Sequence, residues 1–126
     1  MNSTSYNGAA IVSVKKTLTA AATGTQGGWQ NTTGYDLMAC VQLDVTTAST
    51  GAATLDIGVG ATDVTGDKLI DGVDVNAAAG VFASPSGTNG RAWQKVPAGY
   101  FVSAFRASGD PSGMVADLYV TYYHIS

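Results

Sequence analysis

The sequence has no glutamate, one cysteine, one histidine and three prolines, and only 12% of its 126 residues are charged. Each shortage removes a class of function. With Cys40 alone there is no internal disulfide, and with His124 alone there is no metal site built from a histidine cluster. A Ser–His or Cys–His mechanism would hang on that one histidine, two residues from the C-terminus. The six basic residues, Lys15, Lys16, Lys68, Arg91, Lys95 and Arg106, are scattered among nine aspartates for a net charge of −3. No basic stripe exists to follow a phosphate backbone, so nucleic acid is not an expected partner. No run approaches the roughly 18 apolar residues of a membrane span, and the N-terminus lacks the basic start and apolar stretch of a secretory signal. The chain is expected to be made in the cytosol, with no membrane partner.

What remains is rich in Thr, Ser, Ala, Val and Gly, which suit strands and turns better than helices. The length suits one domain that buries about two-thirds of its unfolded surface without a metal or disulfide. We expect residues 1–10, polar and broken by Gly8, to form a flexible N-terminal arm, and residues 11–126 to form a single β-sandwich domain. Tyr6 gives the arm one aromatic anchor, and Asn2, Tyr6 and Asn7 are its candidate contact residues.

Period-two alternation marks the strands. Ile11 to Leu18 reads as the first, and Leu37, Ala39, Val41, Leu43 and Val45 line one face of the second. The intervening Gly24, Gly27, Gly28 and Gly34, around Trp29, read as a loop. Leu55, Ile57 and Val59 continue the alternation after a turn at Thr47-Ala-Ser-Thr-Gly-Ala. Ala61 to Gly90 is the least regular stretch, with room for one short strand or a helical turn. The C-terminal part reads as a β-meander: Arg91 to Val96, Tyr100 to Ala107 and Met114 to His124. Asp110-Pro111-Ser112-Gly113 and Val96-Pro97-Ala98-Gly99 carry the Pro and Gly placement of type I turns between them. In the last strand Met114, Ala116, Leu118, Val120 and Tyr122 form one face, and Val115, Asp117, Tyr119, Thr121 and Tyr123 a half-apolar second face. Cover on both sides is implied, which makes Tyr119, Thr121 and Tyr123 candidates for an oligomer interface. The expected fold is all-β, a two-sheet antiparallel sandwich of the jelly-roll kind.

Chemistry is harder to find. Asp63, Asp67, Asp71 and Asp74 have the oxygen ligands calcium needs but neither the order nor the closing Glu of an EF-hand loop, and aspartate is also the ordinary turn residue. Gly58-Val-Gly60 lacks the third glycine and the helix of a dinucleotide fingerprint, and reads as a bulge or a close approach of two backbones. Asn2 and Asn31 begin glycosylation-like triplets but read as arm and turn residues. Cys40, inside Leu37-Met-Ala-Cys-Val-Gln-Leu, reads as a buried structural thiol. Trp29, Trp93 and the tyrosines could stack on sugars, although aromatics in strands are more often core or interface. No catalytic, cofactor or metal residue is assigned.

Four segments carry a family resemblance. Ala53-Thr-Leu-Asp-Ile-Gly-Val-Gly-Ala, the pair Asp67-Lys-Leu-Ile-Asp-Gly-Val-Asp-Val and Ala78-Ala-Gly-Val-Phe, and the terminal Ala107 to Tyr123 are similar to small accessory head proteins of tailed bacteriophages and gene-transfer particles. The resemblance spans residues 35 to 124 and does not include the arm. It implies a decoration, or cement, protein on the capsid exterior, commonly a homotrimer, with the major capsid protein as partner and synthesis in the host cytoplasm. By bridging major capsid subunits, such a protein would stabilise the lattice. The alternative readings are a carbohydrate-binding head or tail module that recognises a host surface, and a small jelly-roll hydrolase working through an Asp pair.

Overall fold

A computed structural model describes residues 10–63, 66–77 and 79–125 of the chain. The candidate arm contacts Asn2, Tyr6 and Asn7 lie outside them. Among the described residues nine strands run in order: β1 Val12–Thr17, β2 Thr25–Gln30, β3 Leu37–Thr47, β4 Ala53–Gly60, β5 Ile70–Asp74, β6 Gly80–Ala83, β7 Gln94–Val96, β8 Phe101–Gly109 and β9 Val115–His124. No helix occurs among the described residues. The larger sheet has the order β1-β9-β3-β6, with β7 also pairing β3, and the smaller sheet has the order β2-β8-β4-β5. All ladders between these strands are antiparallel. This is the double Greek key of a jelly roll, the expected all-β sandwich.

The core is what alternation dictates. Leu37, Ala39, Val41, Leu43 and Val45 of β3 and Ala116, Leu118, Val120 and Tyr122 of β9 face inward from the larger sheet, opposite Leu55 and Ile57 of β4 and Val102 and Ala104 of β8. Each fully buried Leu or Ile contributes roughly 1.5–3 kcal/mol, so these inner faces are the main stabilising element.

Four expectations need correction. The C-terminal strands exist, but they are not a meander: β7 pairs β3, β8 lies in the smaller sheet between β2 and β4, and β9 lies in the larger sheet between β1 and β3. Both faces of the sandwich need apolar cover, and a chain that crosses between sheets at each turn supplies it as well as a hairpin does. The turns are also shifted by one residue. Tyr100 N–H donates to Pro97 O at 3.0 Å and Met114 N–H to Pro111 O at 3.0 Å, with Gly99 and Gly113 at φ +85° and +82°. Glycine is thus third in each turn, where type II geometry demands a positive φ, and each proline is first. Asp110 instead closes an Asx turn, its Oδ1 accepting from Ser112 N–H at 3.0 Å.

The loop expected around Trp29 contains β2, whose Gly27 and Gly28 sit in the ladder against Ala104 and Ser103. Glycine there masks the alternation that would otherwise announce a strand. Finally, the irregular stretch holds two strands, β5 and β6, because Asp71 and Gly72 interrupt the apolar pattern of the first and β6 is only four residues long.

The reading of Gly58 as a close approach is borne out. Gly28, Ser103 and Gly58 form one row across the outer face of the smaller sheet. The backbone at Gly66 and Asp67 lies against Gly58 so closely that an added Cβ would sit 2.6 Å from Gly66 C and 2.8 Å from Asp67 N.

Candidate functional site

The outer face of the larger sheet is where the interface candidates converge. Adjacent strands align Tyr119 of β9 with Lys15 of β1 and Gln42 of β3, Thr121 with Ser13 and Cys40, and Tyr123 with Met38. All three candidates are half-buried. Within the chain, Tyr123 is met edge-on by the half-exposed Trp93 at a centroid distance of 5.6 Å, and the Ser13 and Thr121 hydroxyls share a hydrogen bond of 2.7 Å. The result is a largely uncharged field of Met38, Cys40, Trp93, Thr121 and Tyr123. Asp44 and Asp117, directly opposed in the ladder, stand at one end, and Lys95 at the other, 3.4 Å from Asp36 Oδ2.

Sequence reasoning had not placed Met38 and Trp93 here. The signal for Met38 was present, since the outward positions of β3 begin Met38, Cys40 where a solvated face would be polar. For Trp93 there was none, because it precedes a three-residue strand whose partner is 55 positions upstream.

Cys40 belongs to this outer face and is half-buried, which corrects the expectation of a core thiol. Leu37, Ala39 and Val41 take the inner positions, so period two sends residue 40 outward. Partial burial pushes its thiol pKa up, which keeps it protonated and poorly nucleophilic.

The four aspartates weighed as calcium ligands do not converge. Asp74 Oδ1 accepts from Asn76 and Ala77 N–H at 2.8 and 3.1 Å, Asp71 Oδ2 from Asn89 N–H at 3.1 Å, and Asp67 Oδ2 from Asn89 Nδ2 at 3.0 Å. Asp74 caps its own turn, while Asp71 and Asp67 both hold the distant Asn89. Among the described residues no three His, Cys, Asp or Glu groups are placed to hold a metal ion.

The carboxyl of Asp56, on the outer face of β4, has its pKa raised from the ordinary value, first by burial, with repulsion from Asp71 and Asp67 adding to it against a hydrogen bond from Gly72 N–H at 2.9 Å. A raised folded-state pKa means that the charged form costs the native state above that pKa, and the cost vanishes below the unfolded value. Asp56→Asn keeps an acceptor for Gly72, so it should melt higher than wild type at pH 7, with the gain shrinking as pH falls through the carboxylate range. A melting series between pH 7 and pH 3 checks this; a lower melting temperature at pH 7 would refute it.

Four other rings face one another. Trp29 stacks on Tyr122 at 5.1 Å, Tyr122 on His124 at 6.3 Å, and His124 on Tyr35 at 4.9 Å, all within 23° of parallel. His124 is thus a layer in an aromatic stack between Tyr122 and Tyr35. Asn31 is fully buried as a turn residue, with its side chain committed to backbone groups and the Thr33 hydroxyl, so its triplet is no exposed glycan acceptor.

No protein-family model matches the sequence, and no curated protein sequence does. Solved structures that share the fold include chains of two bacteriophage capsids. A chain from the capsid of Ralstonia phage GP4 superposes with a TM-score of 0.70 at 21% identity, covering 100% of this chain and 92% of that one. A chain from the acidic stable capsid of Helicobacter pylori bacteriophage KHP30 superposes with a TM-score of 0.56 at 13% identity, covering 94% and 89%. The chain therefore has, over nearly its whole length, a fold found in two bacteriophage capsids.

Proposed function

We propose that this protein is a virion structural protein that decorates the exterior of a phage capsid and stabilises it by bridging major capsid subunits. The observation that carries the reading is the whole-length fold match to chains of two phage capsids. The apolar outer face of the larger sheet supports it, since a field of Met38, Trp93, Thr121 and Tyr123 suits burial against another protein surface. Tyr119, Thr121 and Tyr123 are proposed to form the contact between copies in a homotrimer, and residues 1–10, with Asn2, Tyr6 and Asn7, to reach a capsid subunit. Binding the assembled lattice and not its free subunits stabilises the lattice by linkage, and many copies multiply a modest energy per site. No enzymatic step is needed. The carbohydrate-binding alternative is less well supported, because Trp29, Tyr122, His124 and Tyr35 spend ring faces on one another.

The test is to strip accessory proteins from capsids of the phage that encodes this chain and add back the full-length protein or one lacking residues 1–10. Full-length protein should restore occupancy and raise the temperature of capsid disruption, and truncation should weaken both. Absence of binding by the full-length protein would overturn the proposal, and equal performance of the two would move the contact from the arm to the sandwich.

A further inference from the structure

The loop between β6 and β7 carries a reactive pair that the proposed function does not use. Gly87-Thr88-Asn89-Gly90 forms a tight turn in which Gly90 N–H donates to Gly87 O at 3.3 Å. Asn89 is exposed there and makes two long-range contacts: its N–H donates to Asp71 Oδ2 at 3.1 Å, and its Nδ2 to Asp67 Oδ2 at 3.0 Å. One residue thereby ties this loop both to β5 and to the segment that lies over Gly58. Gly90 is fixed as well. A Cβ at that position would sit 2.6 Å from Ser86 N and 2.8 Å from Ser86 C. Ser86 has little room to yield, since its N–H donates to Leu69 O at 3.3 Å and its carbonyl accepts from Asp71 N–H at 2.8 Å. The packing therefore requires glycine after Asn89.

We propose that Asn89 is a site of spontaneous deamidation, and that the conversion unfastens the segment over β4 from the β6–β7 loop. Asparagine before glycine is prone to this chemistry for a steric reason: with no Cβ on glycine, its nitrogen is unshielded and the backbone turns freely enough to bring it to the asparagine Cγ. Gly90 N attacks Asn89 Cγ and a C–N bond forms. The Cγ–Nδ2 bond breaks, and ammonia leaves with the proton that Gly90 N gives up. Water then opens the succinimide ring, its hydroxyl going to a ring carbonyl carbon and its proton returning to Gly90 N. Opening at Cγ gives aspartate, and opening at the main-chain carbonyl gives isoaspartate. Nothing is oxidised or reduced. Either product loses the Nδ2 donor and adds a carboxylate beside Asp67, where Asp67 and Asp71 already repel Asp56. Like charge then stands where a hydrogen bond stood. Isoaspartate also lengthens the main chain inside a turn that Ser86 already crowds. The bland reading of Asn89 is a turn residue that clamps its neighbours; the chemistry of the pair gives that clamp a lifetime. The inference concerns the domain itself and does not depend on capsid binding.

The test is to age the purified full-length protein at mildly alkaline pH and physiological temperature beside a synthetic peptide of residues 84–94, and to follow both by peptide mapping. Mapping separates residue 89 from Asn7, which also precedes a glycine. Aspartate and isoaspartate should accumulate at position 89 no more than about a hundredfold slower than in the peptide, since only exposed hydrogen bonds must open first. Slower conversion than that, or none, would overturn the site. Asn89→Asp should melt lower than wild type by roughly 3 °C or more, and aged wild type should gain a lower transition in step with its converted fraction. Asn89→Gln, which would have to close a larger ring, should keep its melt through the same ageing. An Asn89→Asp melt within about 1 °C of wild type would overturn the unfastening. Should that variant not fold, the aged wild type decides the matter, because converted protein that melts with the unconverted refutes the unfastening too. A melt that falls equally with age in Asn89→Gln would place the change elsewhere and overturn it as well.

Discussion

Gly58→Val should lower the melting temperature by roughly 10 °C or more, because adding volume where two backbones touch forces main chain, not a pliable side chain, to move. An added Cβ at Gly58 would meet Gly66 C at 2.6 Å and Gly66 Cα at 2.8 Å, and one at Gly66 would meet Gly58 in return. Neither strand β4 nor the segment above it yields cheaply. β4 is held on both sides by β8 and β5, and Leu69 N–H anchors the end of the covering segment to Ile57 O at 3.1 Å. Overpacking of this kind costs about 1–3 kcal/mol for a methylene in an adaptable core, and valine against backbone belongs at or above the upper end. Gly51→Ala is the control, since nothing lies within 4 Å of its Cβ position. Thermal melts of the two variants decide it: a Gly58→Val curve within about 2 °C of wild type, where about 1 kcal/mol would already show, would mean the approach is looser than described.

Asn31→Leu should destabilise by about 2–4 kcal/mol, through carbonyls left without donors and not through lost volume. Asn31 is fully buried where the end of β2 meets the β7–β8 turn. Its Nδ2 donates to Tyr35 O at 2.8 Å, Val96 O at 3.0 Å and Pro97 O at 3.2 Å, and its Oδ1 accepts from Thr33 N–H at 3.1 Å and Thr33 Oγ1–H at 2.6 Å. Its own backbone pairs with Tyr100 N-terminal to β8: Asn31 N–H donates to Tyr100 O and Gly99 N–H to Asn31 O, both at 2.8 Å. Leucine keeps the shape and deletes every side-chain bond. Asn31→Asp is the sharper probe. It keeps the acceptor but turns the donor into a charge facing carbonyl oxygens, so its folded pKa must rise and its deficit should be largest at neutral pH and ease in acid, where a protonated carboxyl regains one donor. A pH-independent deficit for Asn31→Asp, or a loss below about 1 kcal/mol for Asn31→Leu, would show that the network contributes little.

Both positions show how far a linear reading reaches. Gly58 was legible as a place where backbones approach, because glycine inside an alternating strand has few other uses. What approaches it was not legible, since Gly66 meets it across a fold-back with no pattern of its own. Asn31 read as a turn residue, and nothing local reveals that its amide reaches residues 65 and 66 positions away. Of the proposed interface, Tyr119, Thr121 and Tyr123 were visible as a second apolar face on β9, and Trp93 became their neighbour only through the pairing of β7 with β3.

Side-chain alternation is a property of each strand alone, so the inner faces of β3 and β9 and the all-β class follow from the order of residues. Turn chemistry is equally local, which is why Gly99 and Gly113 mark chain reversals even though their positions within the turns were one residue off. Strand partners are not local. Whether β8 pairs with β9 or crosses to the other sheet depends on which arrangement covers both inner faces at once, a condition satisfied by the whole chain together. The same global closure sets Trp93 beside Tyr123 and leaves Cys40 on the outer face, and so only the tertiary structure decides which residues share a surface.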